Sequence, residues 1–153
     1  MTVLNASVWD RIIEPVPVST SPGQLSYWSL AQYTRAIARD MEVLLNTRVA
    51  LSVDELAAYP ACADSIVNFG LADFAQLCLT SSENRKTVCD LVTDAIGRHE
   101  PRLIQVRARL VEESGMVNRL SFAISARLRA LADEERVQFD VMLESSNLHY
   151  SIR

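Results

Sequence analysis

The sequence has few residues of the types that build common catalytic and metal sites. Its three cysteines, Cys62, Cys78 and Cys89, form no C-x-x-C pair, so neither a zinc knuckle nor a redox pair is indicated. Its two histidines, His99 and His149, belong to no motif with a nucleophile. The chain has four glycines and lacks the G-x-x-x-x-G-K-[ST], G-x-G-x-x-G and H-E-x-x-H patterns. The familiar phosphate-binding loops and the zinc-protease helix are therefore excluded, and we expect no cofactor and no metal.

Long apolar runs and targeting segments are also missing. No run approaches the ~20 apolar residues that a membrane helix needs. Asp10 and Arg11 interrupt the N-terminal segment early, unlike the apolar core of a secretion signal. The odd number of cysteines favours reduced thiols over a disulfide framework. We therefore expect a cytoplasmic protein with no segment inserted in a membrane.

The composition is that of a globular protein. Of 153 residues, 49% are hydrophobic and 22% are charged, and the net charge is -4. This length and composition predict one folded domain with a sizeable core. A net negative charge gives no general attraction to nucleic acid or to an anionic membrane, so we expect neither as a partner.

The first 27 residues differ from the rest. Pro15, Pro17 and Pro22 exclude a continuous helix or a central strand there. Ahead of them lies a short amphipathic piece, residues 8–13, which contains Trp9. This piece either folds back on its own domain or docks on a partner, and the residues favour neither alternative. We divide the chain into an N-terminal docking peptide with a Pro/Ser-rich linker, residues 1–27, and a domain at 28–153.

Helical periodicity dominates the next seventy residues. Apolar residues recur every three or four positions over 28–46 and again over 83–99. Capping boxes at Ser52–Glu55 and Thr80–Glu83 predict a short helix and the start of the second long one. Pro101 ends that helix, because proline cannot continue the hydrogen-bond ladder.

After Pro101 the apolar period becomes two. Three alternating segments follow, separated by short polar turns, and a last short strand is predicted over residues 148–152. Strands in succession with one apolar face predict an antiparallel meander. The two long helices are available to cover that face. The predicted fold class is α+β, with three to four strands and helices packed on one face of the sheet.

Two charged features of the sequence each allow two interpretations. Arg107, Arg109, Arg127 and Arg129 are expected on one face of the sheet. No aromatic residue alternates with them to stack bases, so the face is either solvated and self-paired or binds a protein. The tripeptide 100–102, Glu-Pro-Arg, places a carboxylate at the unfavourable end of a helix dipole, beside an arginine. It is either a weak surface pair or a pair of charges presented to a partner, and the residues alone leave both alternatives open.

Three segments, taken in order, carry a resemblance. They are residues 39–48 (Arg-Asp-Met-Glu-Val-Leu-Leu-Asn-Thr-Arg), residues 65–74 (Ser-Ile-Val-Asn-Phe-Gly-Leu-Ala-Asp-Phe), and Ala95-Ile96 leading into Glu100-Pro101-Arg102-Leu103. Together they resemble the TssE family, the small baseplate subunits of type VI secretion systems. These are related to the baseplate wedge proteins of contractile phage tails, once labelled lysozyme-like. The resemblance covers about residues 28–152, and Trp9-Asp10-Arg11-Ile12 resembles the family's N-terminal peptide.

The resemblance implies a structural, non-enzymatic protein. It implies that Glu100, Pro101 and Arg102 grip the helical bundle formed by the other wedge subunits, of the TssF, TssG and TssK type. Trp9, Asp10 and Arg11 are implied as further partner-binding residues. Asn46, Arg48, Asn68 and Gly70 match the family and are interpreted as structural. Ala72 replaces a proline that is common in the family.

The family also implies a place in the cell and in the machine. The sheet edges are expected to template the first sheath ring, within a cytoplasmic baseplate docked at the inner membrane complex. Three alternatives remain: a related anti-adaptor that sequesters a regulator, a baseplate protein of a phage-derived particle and, with the least support, a peptidoglycan hydrolase. No acid with a second carboxylate partner is recognisable for the last of these.

Overall fold

A computed structural model of the chain describes residues 4, 7–13, 28–74, 77, 81–111, 119–131, 136–144 and 149–152. In this part of the chain, helices precede strands. The helices are α1 (Val8–Ile13), α2 (Leu30–Asn46), α3 (Val53–Ala57) and α4 (Ser82–His99), and two 3₁₀ turns, Pro60–Cys62 and Ile66–Asn68, lie between α3 and α4. The strands are β1 (Leu103–Val111), β2 (Arg119–Leu128), β3 (Arg136–Glu144) and β4 (His149–Ile152).

The four strands form one open antiparallel sheet in the order β1-β2-β3-β4. Its inner face is apolar because the side chains alternate along each strand. Phe122, for example, lies between Leu110 on β1 and Val141 on β3. The predicted α+β class, with a meander of three to four strands and helices packed against it, is confirmed.

The two long helices supply the cover that the inner face needs. α4 packs on β1 and α2 packs on β4. Each buries a stripe at helical spacing, and the residues of α2 in that stripe are Tyr33, Ala36, Ile37, Met41, Leu44 and Leu45. Fully burying a side chain such as Ile37 contributes about 1.5–3 kcal/mol. No helix within the described ranges is both long and apolar enough to cross a membrane.

The helix starts agree only in part with the predicted caps. The Ser52–Glu55 capping box is present at α3. At α4 the N-cap is Ser81, whose side chain makes no capping hydrogen bond, and Thr80 lies outside the described residues. The predicted capping box at Thr80–Glu83 is therefore wrong, because the helix begins one residue later than predicted. With Ser81 as the N-cap, the N3 position that would close a box is residue 84 and not Glu83. A box that was not predicted, Ser29 with Gln32, begins α2.

The described N-terminal residues are tied to the domain. Leu4 and Trp28 are both buried in the hydrophobic core. The Trp28 N–H donates to the Leu4 carbonyl at 3.1 Å, which brings the two ends of the intervening segment together. Residues 14–27, which contain the predicted Pro/Ser-rich linker, lie outside the described residues. The division at residue 27 therefore stays a prediction.

Candidate partner-binding site

Helix α1 folds back on the domain through Asp10. Ser7 precedes the helix and forms a capping box with Asp10: the Asp10 N–H donates to Ser7 Oγ at 3.1 Å. In return, the Ser7 N–H and hydroxyl donate to Asp10 Oδ2 at 2.9 and 2.6 Å. These bonds satisfy donors that the first helical turn leaves free. They also hold the carboxylate in one orientation, with its second oxygen directed at α2.

Five charged side chains meet where α1, α2 and the end of α4 converge. Arg39 Nη2 contacts Asp10 Oδ1 at 2.6 Å and Asp40 Oδ1 at 2.9 Å. Arg102 Nη2 donates to Asp40 Oδ2 at 2.6 Å, and Arg102 Nη1 lies 3.9 Å from Asp10 Oδ2. Arg102 Nε donates to Glu100 Oε1 at 2.7 Å. We call Asp10, Arg39, Asp40, Glu100 and Arg102 the ion cluster.

Two carboxylates of the ion cluster are withdrawn from water, whereas the side chains of Arg39, Asp40 and Arg102 are 27%, 32% and 19% exposed. Only 1% of Asp10 and 4% of Glu100 is exposed. Burial by itself raises the pKa of Asp10, but hydrogen bonds from Ser7 and the guanidinium groups of Arg39 and Arg102 outweigh burial and hold that pKa below its ordinary value. Breaking an isolated buried ion pair costs about 3–5 kcal/mol. Loss of the Asp10 charge is expected to cost less, because Arg39 and Arg102 keep Asp40 as a partner. The ion cluster thus fastens α1 to the domain.

The Glu-Pro-Arg tripeptide forms the corner between α4 and β1. Glu100 caps α4, and its N–H donates to the Ile96 carbonyl at 2.8 Å. Pro101 is exposed at the turn. Both the backbone N–H and the guanidinium of Arg102 donate to the Glu100 carboxylate, which compensates the unfavourable helix-dipole position of that carboxylate. The Glu100 carboxylate faces inward, so this is not the weak surface pair of the first alternative.

The solvent-facing part of this site is apolar. On α1, 62% of Trp9 and 67% of Ile12 is exposed, although the helix is docked through Asp10. Beside them lies a groove of about 680 Å³, which we call the docking groove. Its apolar lining consists of Trp9, Ile13, Met41, Val43, Leu44, Phe69 and Pro101, and charged members of the ion cluster line it as well. Exposed apolar surface of this kind is typical of protein interfaces.

The predicted partner-binding residues therefore come together in space. Trp9 and Asp10 of α1 lie beside Glu100, Pro101 and Arg102, although about ninety positions separate the two segments. Arg11 belongs to α1, but its side chain is not among those described. The two alternatives for the N-terminal piece are also not exclusive: it folds back through Asp10 and still exposes Trp9.

Asn46 and Arg48 connect the end of α2 to the edge strand β4. The Asn46 side chain accepts from the Tyr150 N–H at 2.8 Å and donates to the Tyr150 carbonyl at 2.9 Å. The Arg48 guanidinium lies 5.7 Å from the centre of the Tyr150 ring and donates to the Leu45 carbonyl. Burial raises the pKa of the Tyr150 hydroxyl to about 12, against the opposing effect of Arg48. These contacts hold β4 against the helix end.

Asn68 and Gly70 shape the turn that carries Phe69, a lining residue of the docking groove. Asn68 Nδ2 donates to the Ala63 carbonyl at 2.8 Å, and the Asn68 carbonyl contacts His99 Nε2 at 2.9 Å. Gly70 has a φ of 126°, and a Cβ there would lie 2.8 Å from the Thr47 carbonyl oxygen. Only glycine fits this conformation and this close approach.

Sequence reasoning assigned no role to Arg39 and Asp40, which complete the ion cluster. In the sequence these two residues are visible only as an adjacent pair of opposite charges, in one of the three segments that resemble the family. Such pairs are common on solvated helix faces, so the pattern alone does not distinguish a buried network. Within the described residues, no three His, Cys, Asp or Glu side chains are grouped to hold a metal ion.

Three of the four arginines expected on one face of the sheet share it. The strand register places Arg107 opposite Ser125, Arg109 opposite Ala123, and Arg127 on the same outer face. Arg129 lies just beyond β2, and its N–H donates to the Arg102 carbonyl at 2.8 Å. It lines another groove, with Asp94 and Arg98. The outer face is therefore basic, but it carries three of the four arginines predicted to lie there.

Comparison with known proteins identifies a family. No curated protein sequence matches this chain. The baseplate complex from the type VI secretion system contains a similar chain, with 14% identity and a TM-score of 0.48 over 74% of this chain and 96% of that one. A Geobacter sulfurreducens protein described as a tail lysozyme has 19% identity and a TM-score of 0.47 over 78% and 96% of the respective chains. The sequence profile described as baseplate wedge protein gp25 matches residues 31–133, about two thirds of the chain, and the protein therefore belongs to that family.

Proposed function

We propose that this protein is a structural subunit of a type VI secretion baseplate and binds the other wedge subunits through the docking groove and the ion cluster. One observation carries the proposal. The ion cluster joins α1 to the Glu-Pro-Arg corner, so the two segments that resemble family motifs form one continuous surface. Membership of the baseplate wedge family supports the structural role.

The residues of this surface divide into two roles. Asp10, Glu100 and Arg102 are buried or partly buried and bonded to one another, so they position α1. Trp9 and Pro101 face solvent and are available to a partner. Aromatic residues in an apolar groove are frequent anchors of protein interfaces. An amphipathic helix is the partner element that such a groove accepts, which agrees with helical wedge subunits of the TssF, TssG and TssK type.

We further propose that the sheet edges join the baseplate to the contractile sheath and initiate its assembly. β1 is a nine-residue edge strand and β4 is the opposite, four-residue edge. An edge strand presents backbone N–H and C=O groups that can pair with a strand from another chain. On β4 the N–H groups of Tyr150 and Ile152 already donate to side chains of α2, and on β1 the Ala108 N–H donates to a side chain of α4, so an added strand would pair with the remaining groups or replace these bonds. A sheath subunit that contributes a strand is the occupant proposed for an edge.

The wedge contact is tested by co-purification of the protein with the other wedge subunits from the same cells. Trp9→Ser and Ile13→Ser are expected to reduce the recovered wedge subunits at least severalfold, because both remove apolar surface from the docking groove. Ile66→Ser is the matched control: Ile66 is 86% exposed but does not line the groove. Equal recovery with all three variants would contradict the assignment of the groove.

Glu100→Gln and Arg102→Ala test the ion cluster in the same assay, after circular dichroism and thermal unfolding have shown that each variant is folded. We expect reduced recovery, with more protease cleavage around residue 14 because α1 is released. If wild type recovers no wedge subunit, the baseplate role fails and a regulator-binding role becomes the better hypothesis. Turnover of purified peptidoglycan by the wild type would instead favour the hydrolase.

A further inference from the structure

The outer face of the sheet, opposite the helices, carries a small polar pocket. It has a volume of about 180 Å³ and is lined by Gln105, Arg107, Ser125, Ala126, Arg127 and Arg136. We call it the arginine pocket. Its three guanidinium groups come from three neighbouring strands, which the register brings side by side. None of its residues lines the docking groove.

No described carboxylate forms an ion pair with the cations of the arginine pocket. Arg127 on β2 and Arg136 on β3 are directly opposite partners in the register, an arrangement of like charges that destabilises a sheet. Within the described ranges, Arg107, Arg127 and Arg136 take part in no salt bridge. Asp140, farther along β3, accepts a hydrogen bond from Gln138. An anion between the guanidinium groups would remove the repulsion.

A backbone irregularity directs a further polar group to the same place. The β1–β2 register shifts between Ile104 and Arg107, as at a β-bulge. Gln105 in this bulge has a φ of 54°, the left-handed region that glycine normally occupies. Strained residues of this kind concentrate at binding sites, where the surrounding fold maintains them. Here the strained residue lines the pocket.

We propose that the arginine pocket binds the carboxylate side chains of an acidic, extended segment of a partner protein. Guanidinium groups bind carboxylates with paired, charge-assisted hydrogen bonds, and the Gln105 amide can donate a further one. The Ser125 hydroxyl donates to the Arg107 carbonyl at 3.5 Å and would have to turn to reach a ligand.

The described residues of the outer face include no Phe, Tyr or Trp to stack a base, and the histidine there, His149, pairs with Glu144 at the end of β3 far from Arg136. The chain also has a net charge of -4. Both facts favour an acidic peptide over nucleic acid. This surface is separate from the proposed wedge contact.

Fluorescence anisotropy with a labelled peptide of alternating Glu and Thr tests the proposal, with the Gln-Thr peptide as control. Wild type is expected to bind the Glu peptide and not the Gln peptide, with an affinity that falls as salt is raised. The double variant R107Q/R127Q is expected to bind at least about tenfold more weakly. Arg35→Gln, an exposed arginine of α2, is the matched control and leaves binding unchanged.

Gln105→Gly separates a binding role from a structural one. Glycine adopts the positive φ without strain, so the variant is expected to unfold at the same or a higher temperature. Loss of the amide weakens peptide binding severalfold if Gln105 belongs to the site. Unchanged binding in both Gln105→Gly and the arginine variants would overturn the proposal.

Three further outcomes would also reject it. The first is that wild type binds no acidic peptide. The second is that inorganic phosphate or a single-stranded oligothymidine binds more tightly than the peptide and displaces it, which assigns the pocket to a phosphate ligand. The third is that binding appears only after Asp133, Glu134 and Glu135 are changed to amides, which shows that the chain's own turn occupies the pocket.

Discussion

At the residue scale, the substitutions expected to lower stability most are at positions whose contacts only one residue type can make. Asn46 is such a residue, since one amide pairs with both backbone groups of Tyr150. Asp10 is another, because its two oxygens are shared among Ser7, Arg39 and Arg102. Gly70 is the third, for a steric reason. All three connect elements far apart in the sequence, so their loss is felt beyond the residue itself.

Gly70→Ala is expected to lower the free energy of unfolding by about 1–3 kcal/mol, because the new Cβ would lie 2.8 Å from the Thr47 carbonyl oxygen at a φ of 126°. Urea denaturation measures the change. Gly97→Ala is the matched control, because Gly97 is in α4 and a Cβ there meets nothing within 4 Å. That control is expected to raise stability by about 0.5–1 kcal/mol. Equal effects at the two glycines would contradict the steric argument.

At the element scale, α1 depends on its contacts for stability. Six residues are too few for a helix that is stable alone. Its capping box and the ion cluster supply the contacts that hold it. The side chains of Trp9 and Ile12 contribute little to this docking, because most of each is exposed. α1 is thus positioned by one carboxylate, while its apolar side chains remain available to a partner.

Asp10→Asn is expected to lower the free energy of unfolding by about 1–3 kcal/mol at neutral pH, since hydrogen bonds to charged groups are lost. The pKa of Asp10 lies below its ordinary value of 3.8 in the folded protein. The stability that its charge contributes is therefore complete above that value and is lost as pH falls through the lower, folded pKa.

Urea denaturation at neutral pH and at about pH 3 checks this linkage. The difference between wild type and Asp10→Asn is expected to shrink at the lower pH. Asp90→Asn, an exposed position of α4, serves as the control for general charge effects. A difference that stays constant or grows on acidification would show that the Asp10 charge does not stabilise the docked helix.

At the scale of the whole molecule, the protein has different surfaces on different sides. The helical side carries the apolar docking groove, and the outer face of the sheet carries the arginine pocket. Within the described residues the sheet ends at β1 and β4, and helix side chains bond some of the edge backbone groups: Asn46 pairs with Tyr150, and Thr93 accepts from the Ala108 N–H. The protein belongs to the baseplate wedge family, and separate surfaces of different chemistry suit the several contacts proposed above.

The exposed apolar surface predicts weak self-association of the isolated chain. Replacing both Trp9 and Ile12 with serine is expected to reduce association in sedimentation velocity, while the unfolding free energy changes by less than about 0.5 kcal/mol. The control replaces Tyr59 and Ile66, which are exposed to a similar degree, with serine. If the control reduces association as much, the effect belongs to exposed apolar area in general and not to the exposed side of α1.

The elements were predictable because their causes are local. The spacing of Ile37, Met41 and Leu44 predicted α2. The alternation of Ile124, Ala126 and Leu128 with the polar residues between them predicted β2. The N-cap of α4 was predicted one residue too early, at Thr80 instead of Ser81. The sequence there has several hydroxyl residues in succession, and each of them is a common N-cap residue. The resemblance to the baseplate wedge family depended on short motifs and was confirmed by the family match.

Sequence alone determined the α+β class, the order of helices before strands and the family. Tertiary structure alone decided that Asp10, Arg39 and Arg102 meet, that Glu100 turns inward, and that a bulge at Gln105 reshapes the basic face. The physical reason is the distance along the chain over which each effect acts. Periodicity and capping act over a few residues, whereas an ion cluster forms only when packing brings distant charges to within a few ångströms and removes the water that would otherwise screen them.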